Sequence, residues 1–198
     1  MPVDLERRTV VTPDLRIIAE ATPRIAGHAA LFDSVSEDLG GFRERIRPGA
    51  FGASLAADDV RALFNHDPNV ILGRNRAGTL RLTEDERGLG IEIDPPDTQV
   101  ARDLMVSIAR GDVSQMSFGF SVAPGGQVWE KDAQGGVLRT LTAVRLFDVS
   151  PVVFPAYPDT AVAVRALDAW RDSEPGTIPV GMLRRRLDLA LIATTTPI

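Results

Sequence analysis

The chain has 198 residues, 44% hydrophobic and 25% charged, enough to bury one sizeable core with tails to spare. Its 27 acidic residues outnumber its 22 basic ones, and the net charge of −5 argues against nucleic acid as the main partner, because phosphate binding needs concentrated positive charge. The absence of cysteine excludes disulfides, thiol catalysis and thiolate metal sites, and two histidines without short spacing make a poor zinc hydrolase.

Residues 1–23 read as a lead-in with one strand at 15–20. Short strand patterns follow near 25–32, 43–47, 60–65, 70–74, 78–83 and 88–94, punctuated by glycine and turn residues. Two helices interrupt them. One is short, near 49–57. The other spans 98–110, with Val100, Leu104, Met105 and Ile108 on one stripe, Asp97 as its N-cap and Gly111 as its terminator. Strands at 114–122 and 136–150 and a helix at 159–171 close a domain expected to span 24–172. Residues 173–181 have linker composition, and 182–192 form an amphipathic helical pattern in a tail that ends at 198. Many short strands with few flanking helices predict a mainly β (α+β) fold closed, or nearly closed, into a β-barrel. No segment reaches the roughly 18 apolar residues of a membrane span, and the first residues lack a secretion-signal pattern, so the cytoplasm is the expected compartment.

Three segments carry chemistry. In Met116-Ser117-Phe118-Gly119-Phe120-Ser121-Val122, large apolar side chains alternate with Ser, Gly and Ser, so an extended strand leaves one face small. That face suits either a close backbone approach with a hydroxyl at its centre or simple packing against a crowded neighbour. His66 stands where the apolar run Val60–Phe64 meets Asn65-His66-Asp67-Pro68, at a strand edge that presents a side chain to substrate or merely to solvent. His28, inside a strand pattern, reads as a packing residue. Asp148 lies in the apolar run 141–156. Period-two alternation places it on the face of Val144 and Leu146, partly buried and in need of a partner, either an imidazole or an arginine such as Arg145 or Arg61. Serine, imidazole and carboxylate together form a nucleophile, its base and the group that orients the base. Asp58, Asp59 and Asp67 offer a competing metal-hydrolase reading, but carboxylates without paired histidines more often line a solvated loop.

The order of these segments resembles the prohead, or capsid-maturation, serine proteases of tailed bacteriophages from about Gly27 to Ala166. The resemblance rests on Gly27-His28-Ala29-Ala30-Leu31-Phe32, Glu44-Arg45-Ile46-Arg47-Pro48-Gly49-Ala50-Phe51, Phe64-Asn65-His66-Asp67, Gly73-Arg74 and Gly78-Thr79-Leu80-Arg81-Leu82. It continues through Arg87-Gly88-Leu89, Arg110-Gly111-Asp112-Val113, Met116-Ser117-Phe118-Gly119-Phe120, Asp148-Val149-Ser150 and Phe154-Pro155-Ala156-Tyr157-Pro158-Asp159.

It implies His66 as general base, Ser117 as nucleophile and Asp148, at a position more often glutamate, as the orienting acid. Ser114 lacks the following Phe-Gly-Phe of the family position. The implied fold is the barrel of the herpesvirus maturation protease assemblin, whose third triad member is a histidine; with His28 read as packing, an acidic residue fills that role here or the triad is a dyad. The implied partners are the major capsid protein precursor, scaffold segments and the chain itself, as substrate and in a homo-oligomer, with no cofactor, no metal, no nucleic acid and no membrane. The implied place is the host cytoplasm, inside the assembling prohead. The competing class is a catalytically silent prohead core or scaffold component with the same fold.

Overall fold

The computed structural model describes residues 5–20, 22–132, 135–154 and 160–173. The expected tail helix at 182–192 and residues 155–159 of the last motif lie outside them. The chain divides into two units, Met1–Asp159 and Thr160–Ile198. In the second, the helix at Thr160–Ser173 is described.

In the first unit, the strands β1 (Glu6–Val11), β2 (Arg16–Ile18), β3 (Arg24–Leu31) and β4 (Arg43–Ile46) precede a short helix α1 (Gly52–Ala57). β5 (Arg61–Phe64), β6 (Asp67–Arg74), a 3-10 turn, β7 (Leu80–Glu84) and β8 (Gly88–Ile93) lead into α2 (Gln99–Arg110). The unit ends with β9 (Gln115–Val122), β10 (Gln127–Lys131), β11 (Val137–Leu141) and β12 (Val144–Val152). Hydrogen bonding sorts them into a five-stranded sheet β1-β9-β12-β5-β6, a three-stranded sheet β10-β11-β4 and a four-stranded sheet β2-β3-β8-β7.

The expected closed barrel is therefore corrected to three open sheets. Their inner faces meet in one core that includes Ile25, Phe51, Leu89, Ile93, Met116, Phe118, Phe120, Leu141 and Val149. Phe51 packs edge-on against Phe118, with ring centroids 5.7 Å apart, and Phe118 stacks on Phe120 at 5.1 Å.

Charge joins β1 to the three-stranded sheet, with which it shares no ladder. Arg139 on β11, 1% exposed, donates to Glu6 of β1 at 2.7 and 2.8 Å and to Glu44 of β4 at 2.9 Å. Arg8 of β1 donates to Glu44 at 2.8 Å and to Glu6 at 2.7 Å. Two guanidiniums and two carboxylates thus compensate one another where backbone pairing stops.

Local details also depart from the sequence expectation. The first strand pattern becomes β2, and β1, rich in charged residues, lies unread before it. The run 136–150 is two strands, β11 and β12, separated at Thr142 and Ala143. The N-cap of α2 is Thr98, whose hydroxyl accepts the Ala101 N–H at 3.3 Å, rather than Asp97. Its inner stripe is Ala101, Leu104 and Ile108, while Val100 is exposed. Gly111 ends the helix at φ 84°, as expected.

Removing Arg139 leaves the buried Glu6 without its main partner and Glu44 with Arg8 alone. Arg139→Ala is expected to lower the unfolding free energy by about 3–5 kcal/mol in a urea titration. Burial raises the Glu6 carboxyl, but hydrogen bonds and charge from Arg139, then Arg8, outweigh it and hold the group below its ordinary 4.5. A depressed carboxylate contributes stability that is present above about pH 4.5 and lost as pH falls through its folded value. Unfolding followed against pH should show this acid-side loss in the wild type and less of it in Glu6→Gln.

Candidate active site

The five-stranded sheet builds the site on the face turned away from the core. On β9, Met116, Phe118 and Phe120 enter the core, so Ser117 and Gly119 point the other way. Antiparallel pairing sets Ser150 of β12 opposite Ser117 and Asp148 opposite Gly119.

Simple alternation would have placed Asp148 with Val144 and Leu146 in the core. The register shifts between Leu146 and Asp148, so Phe147 is the extra residue of a β-bulge. Val144, Leu146 and Val149 then share the core face, and Asp148 and Ser150 lie with Ser117. The expected face of Asp148 is corrected accordingly.

Gly119 makes room for it. A methyl group at this position would stand 2.4 Å from Asp148 Oδ1, closer than any real contact, so the carboxylate occupies the space a side chain would fill.

His66 arrives from the other side of β12. Asn65 and His66 are the two central residues of the hairpin between β5 and β6, with φ of 53° and 57°. Positive φ at both positions is what a type I′ turn demands, and asparagine tolerates it better than most residues. The turn is tied to the end of β12 twice. The Asn65 N–H donates to the Pro151 carbonyl at 3.0 Å, and the Val153 N–H donates to Asn65 Oδ1 at 3.0 Å. Strand β6 begins at Asp67, earlier than expected, and Pro68 is tolerated because β6 is a sheet edge.

These placements bring Ser117, His66 and Asp148 together. His66 Nδ1 lies 2.6 Å from Asp148 Oδ2, and His66 Nε2 lies 2.7 Å from Ser117 Oγ. An ionised carboxylate only accepts, so Nδ1–H donates to Asp148 and Nε2 is left to accept the Ser117 hydroxyl proton. Ser117 has no exposed surface, and the side chains of His66 and Asp148 are 6% and 10% exposed. The arrangement can deprotonate a serine hydroxyl as it attacks and stabilise the imidazolium that forms.

The other candidates lie elsewhere. Ser114 is exposed, one residue before β9, and its carbonyl accepts the Thr12 N–H at 3.4 Å. His28 bridges Asp14 and Asp85 at 2.6 and 2.8 Å in the four-stranded sheet, a polar brace rather than the packing residue expected. Arg61 and Arg145, the alternative partners for Asp148, bind Asp59 at 3.1 Å and Asp58 at 3.3 Å. Hydrogen bonds from Arg74 hold the Asp59 carboxyl down to about 2. Asp67 accepts the Asn69 N–H at 2.8 Å, closing its own turn, and no metal-binding cluster occurs among the described residues. Ser150, which the sequence reading did not single out, donates to Asp148 Oδ2 at 2.9 Å. Its place two residues after the carboxylate was the available signal.

Gly119→Ala is expected to push the Asp148 carboxylate off His66 and to cost about 1–3 kcal/mol of stability by overpacking. Proton NMR checks this. The low-field imidazole N–H resonance that His66→Gln removes should also vanish in Gly119→Ala, while circular dichroism still reports a folded chain.

The family described as caudovirus prohead serine protease matches residues 11–172. The prohead protease of Enterobacteria phage HK97 is 30% identical over 156 residues, which cover 75% of this chain and 64% of that protein. No solved structure matches. With the family match covering residues 11–172, from the end of β1 into the helix at Thr160–Ser173, the chain belongs to the caudovirus prohead serine protease family.

Proposed function

We propose that this protein is a serine endopeptidase that cleaves the scaffold or capsid precursor of a tailed-phage-like prohead, and itself, during maturation. The observation that carries the reading is the continuous hydrogen-bonded chain from Asp148 through His66 to Ser117, with both links under 2.8 Å. Family membership and the name of the HK97 relative, a prohead protease, support a substrate within the prohead.

In the proposed mechanism, Ser117 Oγ attacks the scissile carbonyl while His66 Nε2 takes its proton. The tetrahedral intermediate collapses as the imidazolium returns that proton to the leaving amine. Water then attacks the acyl carbon while giving a proton to His66, and the imidazolium returns that proton to Ser117 Oγ as the acyl group leaves as an acid. Asp148 keeps the Nδ1–H tautomer and stabilises the imidazolium, so the acid contributes orientation and charge without itself taking the proton. Enclosure with substrate inside a shell raises the local concentration, which suits a protease of low intrinsic affinity. Among the described residues no helix is long and apolar enough to cross a membrane.

Co-expression with the cognate capsid precursor tests the reading. Mass spectrometry should find a shortened precursor, and a shortened chain lacking part of 173–198, in the wild type and intact masses in Ser117→Ala. Ser117→Ala and His66→Ala should slow processing by about 10⁶, and Asp148→Ala by about 10⁴. Identical processed masses with Ser117→Ala, or loss of processing with Ser114→Ala instead, would overturn the nucleophile. An intact precursor in the wild type would favour the catalytically silent core component.

A further inference from the structure

We infer that Ser150 is a positioning residue for the proposed triad: its hydroxyl fixes the carboxylate of Asp148, and through it the ring of His66. The inference rests on the proposed serine protease chemistry and extends it to a residue that need not touch substrate.

Ser150 has no exposed surface, so its hydroxyl must find a partner inside the protein. Two are near. Asp148 Oδ2 lies at 2.9 Å and His66 Nδ1 at 3.5 Å, and the second is beyond the ordinary range for such a bond. Nδ1 carries the proton given to Asp148, so it has no lone pair to offer. Ser150 therefore donates to the carboxylate.

Oδ2 then accepts from two side chains, the imidazole at 2.6 Å and the hydroxyl at 2.9 Å, while Oδ1 sits in the space left by Gly119. This matters because the last torsion of an aspartate is broad, and one hydrogen bond leaves the carboxylate plane free to swing. The second donor removes that freedom and offsets part of the cost of keeping the charge out of water. The same bulge at Phe147 delivers both residues. Once Asp148 is turned onto the Ser117 face, Ser150, two residues on, lies on that face as well.

The test uses the rate at which a fluorophosphonate modifies Ser117, which reports nucleophile activation without a known substrate sequence. Ser150→Ala should react about tenfold more slowly than wild type, the scale of one hydrogen bond to a charged group. Its His66 N–H resonance should move from the wild-type position. In an Asp148→Ala background, Ser150→Ala should add no further slowing, because the hydroxyl acts only through the carboxylate. Wild-type reactivity in Ser150→Ala, an unmoved resonance, or equal slowing in both backgrounds would overturn the positioning role. Ser117→Ala separates this from failure of the parent reading. If the probe still modifies the protein equally without Ser117, the triad itself is misassigned; if modification is lost there while Ser150→Ala reacts normally, only the Ser150 role falls. Thermal unfolding of each variant confirms that the comparison is between folded proteins.

Discussion

The bulge at Phe147 governs the site, because it decides which face of the five-stranded sheet receives Asp148. Without the extra residue, strict alternation would bury an unpaired carboxylate among Val144, Leu146 and the phenylalanines of β9, at a cost of several kcal/mol. With it, the carboxylate crosses to a face where Gly119 has vacated a side chain's volume and where an imidazole and a hydroxyl are waiting. One irregularity in a ladder therefore converts a packing problem into a polar network.

The same sheet supplies the other two members by different means. β9 is a regular strand whose alternation sends three large side chains inward and leaves Ser117 on the small face. The β5–β6 hairpin is irregular, with two successive residues at positive φ, and the strain at His66 is held by the Asn65 bonds to β12. Base and acid are thus anchored to the same strand, β12, which sits between β9 and β5. Relative motion between the proposed base and acid is restricted by construction.

Much of this was legible in the chain. The alternation of Met116 to Val122 gave the small face directly, and the turn chemistry of Asn65-His66-Asp67-Pro68 placed the histidine at a strand end. The face of Asp148 was not legible, since a bulge carries no residue signature when the extra position is a phenylalanine in an apolar run. Nor was β1, which lies in a lead-in where the pattern predicts a strand only at 15–20; its Glu6 and Arg8 are neutralised by Arg139 and Glu44, far away in sequence. Barrel closure was expected because short strands suggest continuous pairing, whereas the strands form three sheets and the seam from β1 to β4 is made by side-chain charge.

The central claim is that Ser117 is made nucleophilic by His66, and covalent mapping tests it most directly. A fluorophosphonate-treated wild-type protein, digested and sequenced by tandem mass spectrometry, should carry the adduct on Ser117, and His66→Ala should lose it. An adduct on Ser114 or another serine, or undiminished labelling of Ser117 without His66, would contradict the account.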